Sequence, residues 1–230
     1  ADISVNRLLK TRLKGTFPDY GWLSEETADN NERLSKQRVW IIDPIDGTRE
    51  FVEGIPEYVI CIALVDNGIP VVGVQFNPAR DQLFVAIRNG GTFLNGKRIF
   101  CTECKYLSKA SVAVSRSEYD RREIEPFRSF MGEIRPIGSV AYKLALVASG
   151  DYDINFSVQP KNEWDVCAGD LLIREAGGCM LNLNGNVRLY NQKNTLIQRG
   201  LVAGNSKLVS ETLLMLKANN YSLQNGDSKL

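Results

Sequence analysis

No histidine occurs anywhere in the chain. That absence removes Ser-His-Asp and Cys-His nucleophilic systems, catalysis through a phosphohistidine, and histidine-ligated zinc. A general base must then be a carboxylate, a hydroxyl, a lysine or a metal-activated water. Any bound metal would take oxygen ligands, which selects magnesium, manganese or calcium. Charge of one sign is also lacking: the formal net charge is +1, so no global field draws the chain to a nucleic-acid polymer or an anionic membrane. No apolar run approaches the roughly 20 residues that span a bilayer, and no secretory signal is visible. Cysteines are few, odd in number and irregular in spacing (Cys61, Cys101, Cys104, Cys167 and Cys179). That argues against a disulfide framework and for a reducing, cytoplasmic setting. Cys101-x-x-Cys104 has no second pair and no histidines beside it, so free thiols near a surface strand are preferred to a zinc or redox site.

What is present is ordinary in bulk. At 230 residues, with 43% hydrophobic and 24% charged, the chain suffices for one large domain or two closely packed lobes with a substantial core. Apolar spacing predicts a helix over 3–14 and a short strand at Trp22-Leu23, followed by a polar stretch over 28–37 that reads as a solvent loop. Strands follow at 39–43 and 58–66, the latter apolar on both faces and therefore central. Asn67-Gly68 is a hairpin signal, and antiparallel strands are predicted at 71–76, 82–87, 92–94 and 97–99. After about residue 108 the rhythm changes to strands at 112–114, 134–137, 154–156 and 201–203, alternating with helices at 121–131, 139–149, 164–176 and 207–216. This implies a second sheet layered with helices, hence an N-terminal α+β lobe (1–108) and a C-terminal α/β lobe (109–230) forming one compact unit. The tail from Asn219 is polar and reads as frayed.

Three segments carry chemistry. In Trp40-Ile41-Ile42-Asp43-Pro44-Ile45-Asp46-Gly47-Thr48, an apolar β-favouring run ends in two carboxylates three residues apart. Pro44 has no N–H and stiffens the turn, the Ile45 carbonyl has no ladder partner and can face a cation, and Gly47 lets a ligand approach the backbone. A helix beginning at Thr48 would point its first N–H groups at an anion. The bland reading is an ordinary capped helix with Asp46 as N-cap. Glu25-Glu26 follows the Trp22-Leu23 strand, where a carboxylate could hold a cation and take a proton from water; alone it reads as a solvated acidic turn. Asp165, in Glu163-Trp164-Asp165-Val166-Cys167-Ala168-Gly169, sits in the first turn of a predicted helix, where an acid is favoured by the dipole in any case.

Taken together, Glu25-Glu26, Asp43-Pro44-Ile45-Asp46-Gly47-Thr48 and Trp164-Asp165-Val166-Cys167-Ala168-Gly169 resemble the inositol monophosphatase superfamily of metal-dependent, lithium-sensitive phosphatases. Gly73-Val74 with Asn77-Pro78, Gly91-Thr92-Phe93-Leu94-Asn95-Gly96, Gly138-Ser139 and Glu175-Ala176-Gly177-Gly178 extend the likeness over nearly the whole chain. The resemblance implies a layered α/β/α/β/α sandwich of the inositol monophosphatase and fructose-1,6-bisphosphatase type. Glu25, Asp43, the Ile45 carbonyl, Asp46 and Asp165 would be ligands of two or three magnesium ions; manganese would substitute, and lithium and calcium would inhibit. Gly47 and Thr48 would give backbone N–H groups to phosphate, and Glu25 and Thr48 would orient the attacking water, with Asp46 also in the catalytic group. Ala1-Asp2 resembles the end of the family's T-x-A-D segment, which would make Asp2 an outer ligand near a third, weaker metal. The implied assembly is a homodimer acting on a small phosphorylated substrate.

For the substrate, Thr48-Arg49-Glu50-Phe51, Ser115-Arg116-Ser117, Glu163 and Lys143 resemble the CysQ-like branch, which removes the 3′-phosphate of adenosine 3′,5′-bisphosphate. Ser139, Lys143 and Glu163 are then the expected substrate contacts. Gly54-Ile55-Pro56-Glu57-Tyr58 departs from that branch, which keeps inositol 1-phosphate as the alternative. A regulatory or interaction protein that retains the fold is the non-enzyme alternative.

Overall fold

The apolar run before the paired carboxylates becomes an inner strand of a seven-stranded sheet in the computed structural model, which describes residues 1–198 and 200–219. The first half of the chain gives α1 (Asp2–Thr16), β1 (Gly21–Ser24), β2 (Arg38–Asp46), α2 (Thr48–Glu53), β3 (Val59–Asp66), β4 (Ile69–Asn77), β5 (Gln82–Ile87), β6 (Gly91–Leu94) and β7 (Lys97–Ile99). These strands lie side by side in chain order. β1 runs parallel to β2, and every later neighbour is antiparallel. Asn67 and Gly68 both take positive φ, 50° and 80°, which is the turn that an Asn-Gly hairpin favours.

The second half gives β8 (Ser111–Ser115), α3 (Arg116–Asp120), β9 (Glu133–Ile137), α4 (Val140–Ala148), β10 (Ile154–Ser157), β11 (Lys161–Asn162), α5 (Glu163–Glu175), β12 (Cys179–Asn182), β13 (Leu196–Ile197), β14 (Leu201–Gly204) and α6 (Ser206–Ala218). The second sheet is five-stranded, in the order β12-β14-β10-β8-β9, and β11 pairs only with β13. α4 and α5 lie between the two sheets, α1 packs beside β2, and α6 packs behind β14 and β12, which is the expected α/β/α/β/α layering. Every residue of α4 is buried, as a helix enclosed on all sides requires. Glycine permits the closest approaches: a Cβ on Gly73 of β4 would stand 2.8 Å from the Ala168 carbonyl of α5, and one on Gly169 would stand 2.5 Å from the Leu144 side chain of α4. The main core joins the first sheet to α4 and α5, and a second cluster around Phe127, Phe156 and Leu208 fills the space under α6.

Several expectations are corrected. The stretch 28–37 is exposed as a solvent loop should be, except at Arg33, which is 2% exposed within a 3₁₀ turn (Glu32–Ser35). β3 alternates buried and half-buried residues rather than hiding both faces. The single helix expected over 121–131 is replaced by α3 and a 3₁₀ turn (Glu125–Phe130), because Arg122 takes a left-handed φ of 59° and Pro126 cannot continue a helix from the preceding residue. The short strands β11, β12 and β13 were not expected. All five cysteines are free. No helix among the described residues is long and apolar enough to cross a membrane. The tail beyond Asn219 lies outside the described residues.

Candidate active site

β2 delivers its two carboxylates by breaking register. Pairing with β3 holds through Asp43 opposite Cys61 and resumes only at Asp46 opposite Val59, so Pro44 and Ile45 bulge out of the ladder. The Ile45 N–H folds back to Asp43 Oδ1 at 3.0 Å, and the Ile45 carbonyl accepts from the Thr48 hydroxyl at 3.1 Å. Gly47 follows with φ 98°, where a Cβ would stand 2.8 Å from the Glu57 carbonyl. Glycine is required here, because its φ is positive and no side chain fits against Glu57, Ser139 and Tyr58.

Asp46 does not cap the helix that follows it. Its Oδ2 accepts from the Ser139 hydroxyl and, at 2.7 Å, from the Ala141 N–H, so it closes the N-terminus of α4, a distant element. Ser139 is the N-cap of α4; it takes a φ of 50° and accepts in turn from Tyr142 N at 2.9 Å. Asp165, in the first turn of α5, accepts from Asn162 N at 2.7 Å. One carboxylate oxygen from each of Asp43, Asp46 and Asp165 lies within 4.8 Å of the others. Glu25 leaves the end of β1, its N–H 3.4 Å from the Ile42 carbonyl, and its exposed side chain lines the same cleft of about 380 Å³. Asp2 borders this group, with its Oδ2 3.5 Å from the Thr48 hydroxyl and its charge among those acting on Glu25.

The electrostatics are those of buried negative charges that Lys143 and Lys161 offset only in part. Burial, then repulsion from Asp46, Glu25 and Asp165, pushes Asp43 well above the usual carboxylate range. Burial and the Asp46 charge raise Asp165 to about 8. Burial and the Asp46 charge also raise Glu25. Burial raises Asp46 itself, against the opposing pull of Ser139, Ala141 and Lys143. Such a cluster is relieved by protons or by hard cations. A set of carboxylates and one backbone carbonyl, with no nitrogen or sulfur donor, fits magnesium or manganese.

The expected substrate contacts fare differently. Ser139 lines the cleft. Lys143 also borders it, but its ammonium donates to the carbonyls of Ile137 (3.0 Å), Gly138 (3.3 Å) and Ser139 (2.8 Å), which uses all its donors. Burial lowers its pKa to about 8. Lys143 therefore shapes the 137–139 turn from beneath. Glu163 is corrected: it is not at the cleft. Its carboxylate is fully buried and accepts from Arg188 (2.7 Å), Asn191 N (2.7 Å) and Gln192 N (3.1 Å), because the first residue of α5 points to the side opposite Asp165.

Two groups escaped the sequence reading. Glu57 Oε2 accepts from Arg116 Nη2 at 2.5 Å and from Gly138 N at 2.7 Å, tying α3 to the turn before α4. Lys161 reaches the cleft wall, where its ammonium meets Glu118 Oε1 at 3.3 Å and the Gln159 carbonyl at 3.0 Å. Only the odd departure at Gly54–Tyr58 hinted at the first, and nothing local marked the second.

The chain is similar to known proteins over most of its length. The model of the inositol monophosphatase family matches residues 1–220. An inositol-1-monophosphatase of Rhizobium meliloti is 39% identical over 192 residues, covering 80% of this chain and 71% of that protein. A Nus factor SuhB of Xylella fastidiosa is 34% identical, covering 96% and 81%. Among solved structures, the inositol monophosphatase of Anabaena (Nostoc) superposes with a TM-score of 0.82 at 26% identity, covering 95% of this chain and 86% of that one.

Proposed function

The chain belongs to the inositol monophosphatase family, a family of phosphatases, and from that premise we propose that it hydrolyses a small polyol monophosphate of the inositol 1-phosphate class in a magnesium-loaded cleft. The observation that carries this reading is the meeting of Asp43, Asp46 and Asp165 within 4.8 Å, from two elements far apart in sequence. Asp43, Asp46, Asp165, Glu25 and the Ile45 carbonyl would hold the cations. Bound there, magnesium acidifies water and offsets charge on the phosphoryl oxygens and the leaving oxygen.

The chain's own groups do the rest. The backbone N–H groups of Gly47 and Thr48, bared by the positive φ at Gly47, orient the phosphate. The Thr48 hydroxyl, fixed on the Ile45 carbonyl, and Glu25 at the rim align the attacking water, and the Glu25 carboxylate accepts its proton. Ser139 holds Asp46 in place as a positioning residue.

A monophosphate is preferred to adenosine 3′,5′-bisphosphate because, among the described residues, each cation that lines the cleft already has a polar partner. Lys143 is saturated by carbonyls, Arg116 is taken by Glu57, Lys161 by Glu118 and Arg49 by Glu53, while Glu163 is elsewhere. The experiment is parallel phosphate release from inositol 1-phosphate and adenosine 3′,5′-bisphosphate, with magnesium and with a chelator. Turnover of the polyol ester only with magnesium is expected. Faster turnover of the bisphosphate would reverse the substrate assignment, and no release from either would leave the interaction role that the name of the Xylella relative suggests.

A further inference from the structure

Two buried charged side chains have no part in the cleft yet lie between its edges. Arg33 is 2% exposed and Glu163 is fully buried, and neither lines the cleft. The segment that carries Asn191 connects them. Arg33 donates to Asn191 Oδ1 at 2.7 Å and to the Gln192 carbonyl at 3.1 Å, and Asn191 returns a bond from its side-chain amide to the Arg33 carbonyl at 3.1 Å. On its other side, the Asn191 backbone N–H reaches Glu163 Oε2 at 2.7 Å. Asp29 closes the near end by pairing with Arg33 at 2.7 Å.

The ends of this chain are informative. Asp29 and Arg33 belong to the segment that leaves β1 through Glu25, and Glu163 is two residues before Asp165. The Glu25 N–H makes one long backbone bond, at 3.4 Å, to β2, and the turn after it is tied locally by Thr27 N to the Ser24 carbonyl (3.3 Å) and by the Asn6 amide to Thr27 Oγ1 (3.0 Å), none of which reaches α5. The first turn of α5 lies where the β11–β13 pair ends, beyond the Gly73 contact that seats the middle of the helix. Buried ion pairs are poor contributors to net stability and are better at fixing one arrangement. We propose that Arg33, Asn191 and Glu163 form a positioning strap that sets the Glu25 turn against the first turn of α5, and so sets the magnesium affinity of the cleft. This rests on the metal reading above, in which Glu25 and Asp165 share cations.

The strap is broken most cleanly at Asn191, whose φ is 61°. Asn191→Gly keeps that backbone conformation without strain and removes only the side chain, whereas Asn191→Asp keeps the acceptor for Arg33. Magnesium binding is measured by titration calorimetry, and kcat as a function of magnesium with inositol 1-phosphate. Asn191→Gly is expected to weaken magnesium binding about tenfold, the lower range for residues that orient metal ligands. Its kcat at saturating magnesium should stay within about twofold of the parent, because only binding is altered. Asn191→Asp should restore most of the affinity. Arg33→Met should weaken magnesium binding to a similar degree, and the double variant should be no weaker than either single one, since both cut the same tie. Unchanged affinity in Asn191→Gly, a kcat loss without an affinity change, or additive effects would each overturn the strap. Failure of the unaltered protein to bind magnesium would overturn the metal reading and the strap with it, whereas normal binding in the unaltered protein and in Asn191→Gly alike would overturn the strap alone.

Discussion

The two sides of the cleft are rigid for different reasons. Asp43 and Asp46 ride on the end of β2, an almost wholly buried inner strand that pairs with β1 as far as Ile42 and with β3 at Asp43 and again at Asp46. Glu25 and Asp165 ride on the ends of elements, and side-chain ties hold those ends: Arg33, Asn191 and Glu163 on one line, and Asn162 on another. A ladder of backbone bonds is written in a contiguous apolar run. Side-chain ties are written in residues 158 positions apart. A site that must gather four carboxylates uses the first device for its fixed half and the second for its adjustable half.

The largest effect should come from the fixed half. Asp46→Asn keeps an acceptor for Ser139 and Ala141, so the fold and α4 should survive, but it removes one charge from the ligand set. Phosphate release should fall by at least about a hundredfold, the upper range for residues that only support metal ligands, while the circular dichroism spectrum stays unchanged. Near-native turnover would show that Asp46 serves α4 alone.

The comparison also predicts how pH acts on the metal-free protein. Burial and mutual repulsion raise Asp43, Glu25, Asp46 and Asp165, the last to about 8. A carboxyl raised in the folded state binds more protons there than in the unfolded chain, so stability falls as pH climbs from the unfolded value, about 4, towards the folded one. The melting temperature in chelator should therefore decline from about pH 5 to about pH 8. Stabilisation by magnesium should grow over the same interval, because protons and cations compete for one cluster. Calorimetric scans at a series of pH values test this, and a flat metal-free profile would mean that the carboxylates lie apart in solution.

These contrasts explain what could be read from the sequence. Asp43-Pro44-Ile45-Asp46-Gly47-Thr48 was legible because strand, bulge and turn are successive residues. Asp165 was legible by its neighbours in the chain, since Trp164 and the small residues after it set its surroundings. Arg33 was not, because a polar run looks the same whether its arginine is solvated or buried in a pair. The partnership of Asp46 with α4 was not, because nothing at Asp46 announces Ser139, 93 residues on. The helix expected over 121–131 failed on the left-handed Arg122 and on Pro126, and apolar periodicity registers neither.

A smaller effect should follow where the two halves meet in the core. A Cβ at Gly73 would stand 2.8 Å from the Ala168 carbonyl, and a backbone atom cannot turn aside as a side-chain tip can. Gly73→Ala should destabilise the protein by about 1–3 kcal/mol, the usual cost of overpacking, measured by denaturant unfolding. It should also weaken magnesium binding, since α5 carries Asp165. Loss of stability with magnesium affinity untouched would mean that the first turn of α5 is held by the strap alone and not by the packing of the helix middle.

The smallest effect tests the substrate side of the same cleft. Arg49 follows the phosphate turn and is exposed; its Nε lies 2.9 Å from Glu53 one helical turn on. Such exposed pairs add little to stability, so Arg49→Ala should leave the melting temperature nearly unchanged. With a monophosphate substrate the effect on kcat/KM should also be small, because on the proposed reading the dianion would be met by the cations and by the N–H groups of Gly47 and Thr48. A bisphosphate would need Arg49 to leave Glu53 and turn inwards, and charge-assisted bonds to phosphate are among the stronger polar contacts. A large rise in KM confined to adenosine 3′,5′-bisphosphate would thus identify Arg49 as the contact that Lys143 and Glu163 do not provide, and would shift the preferred substrate back to the nucleotide.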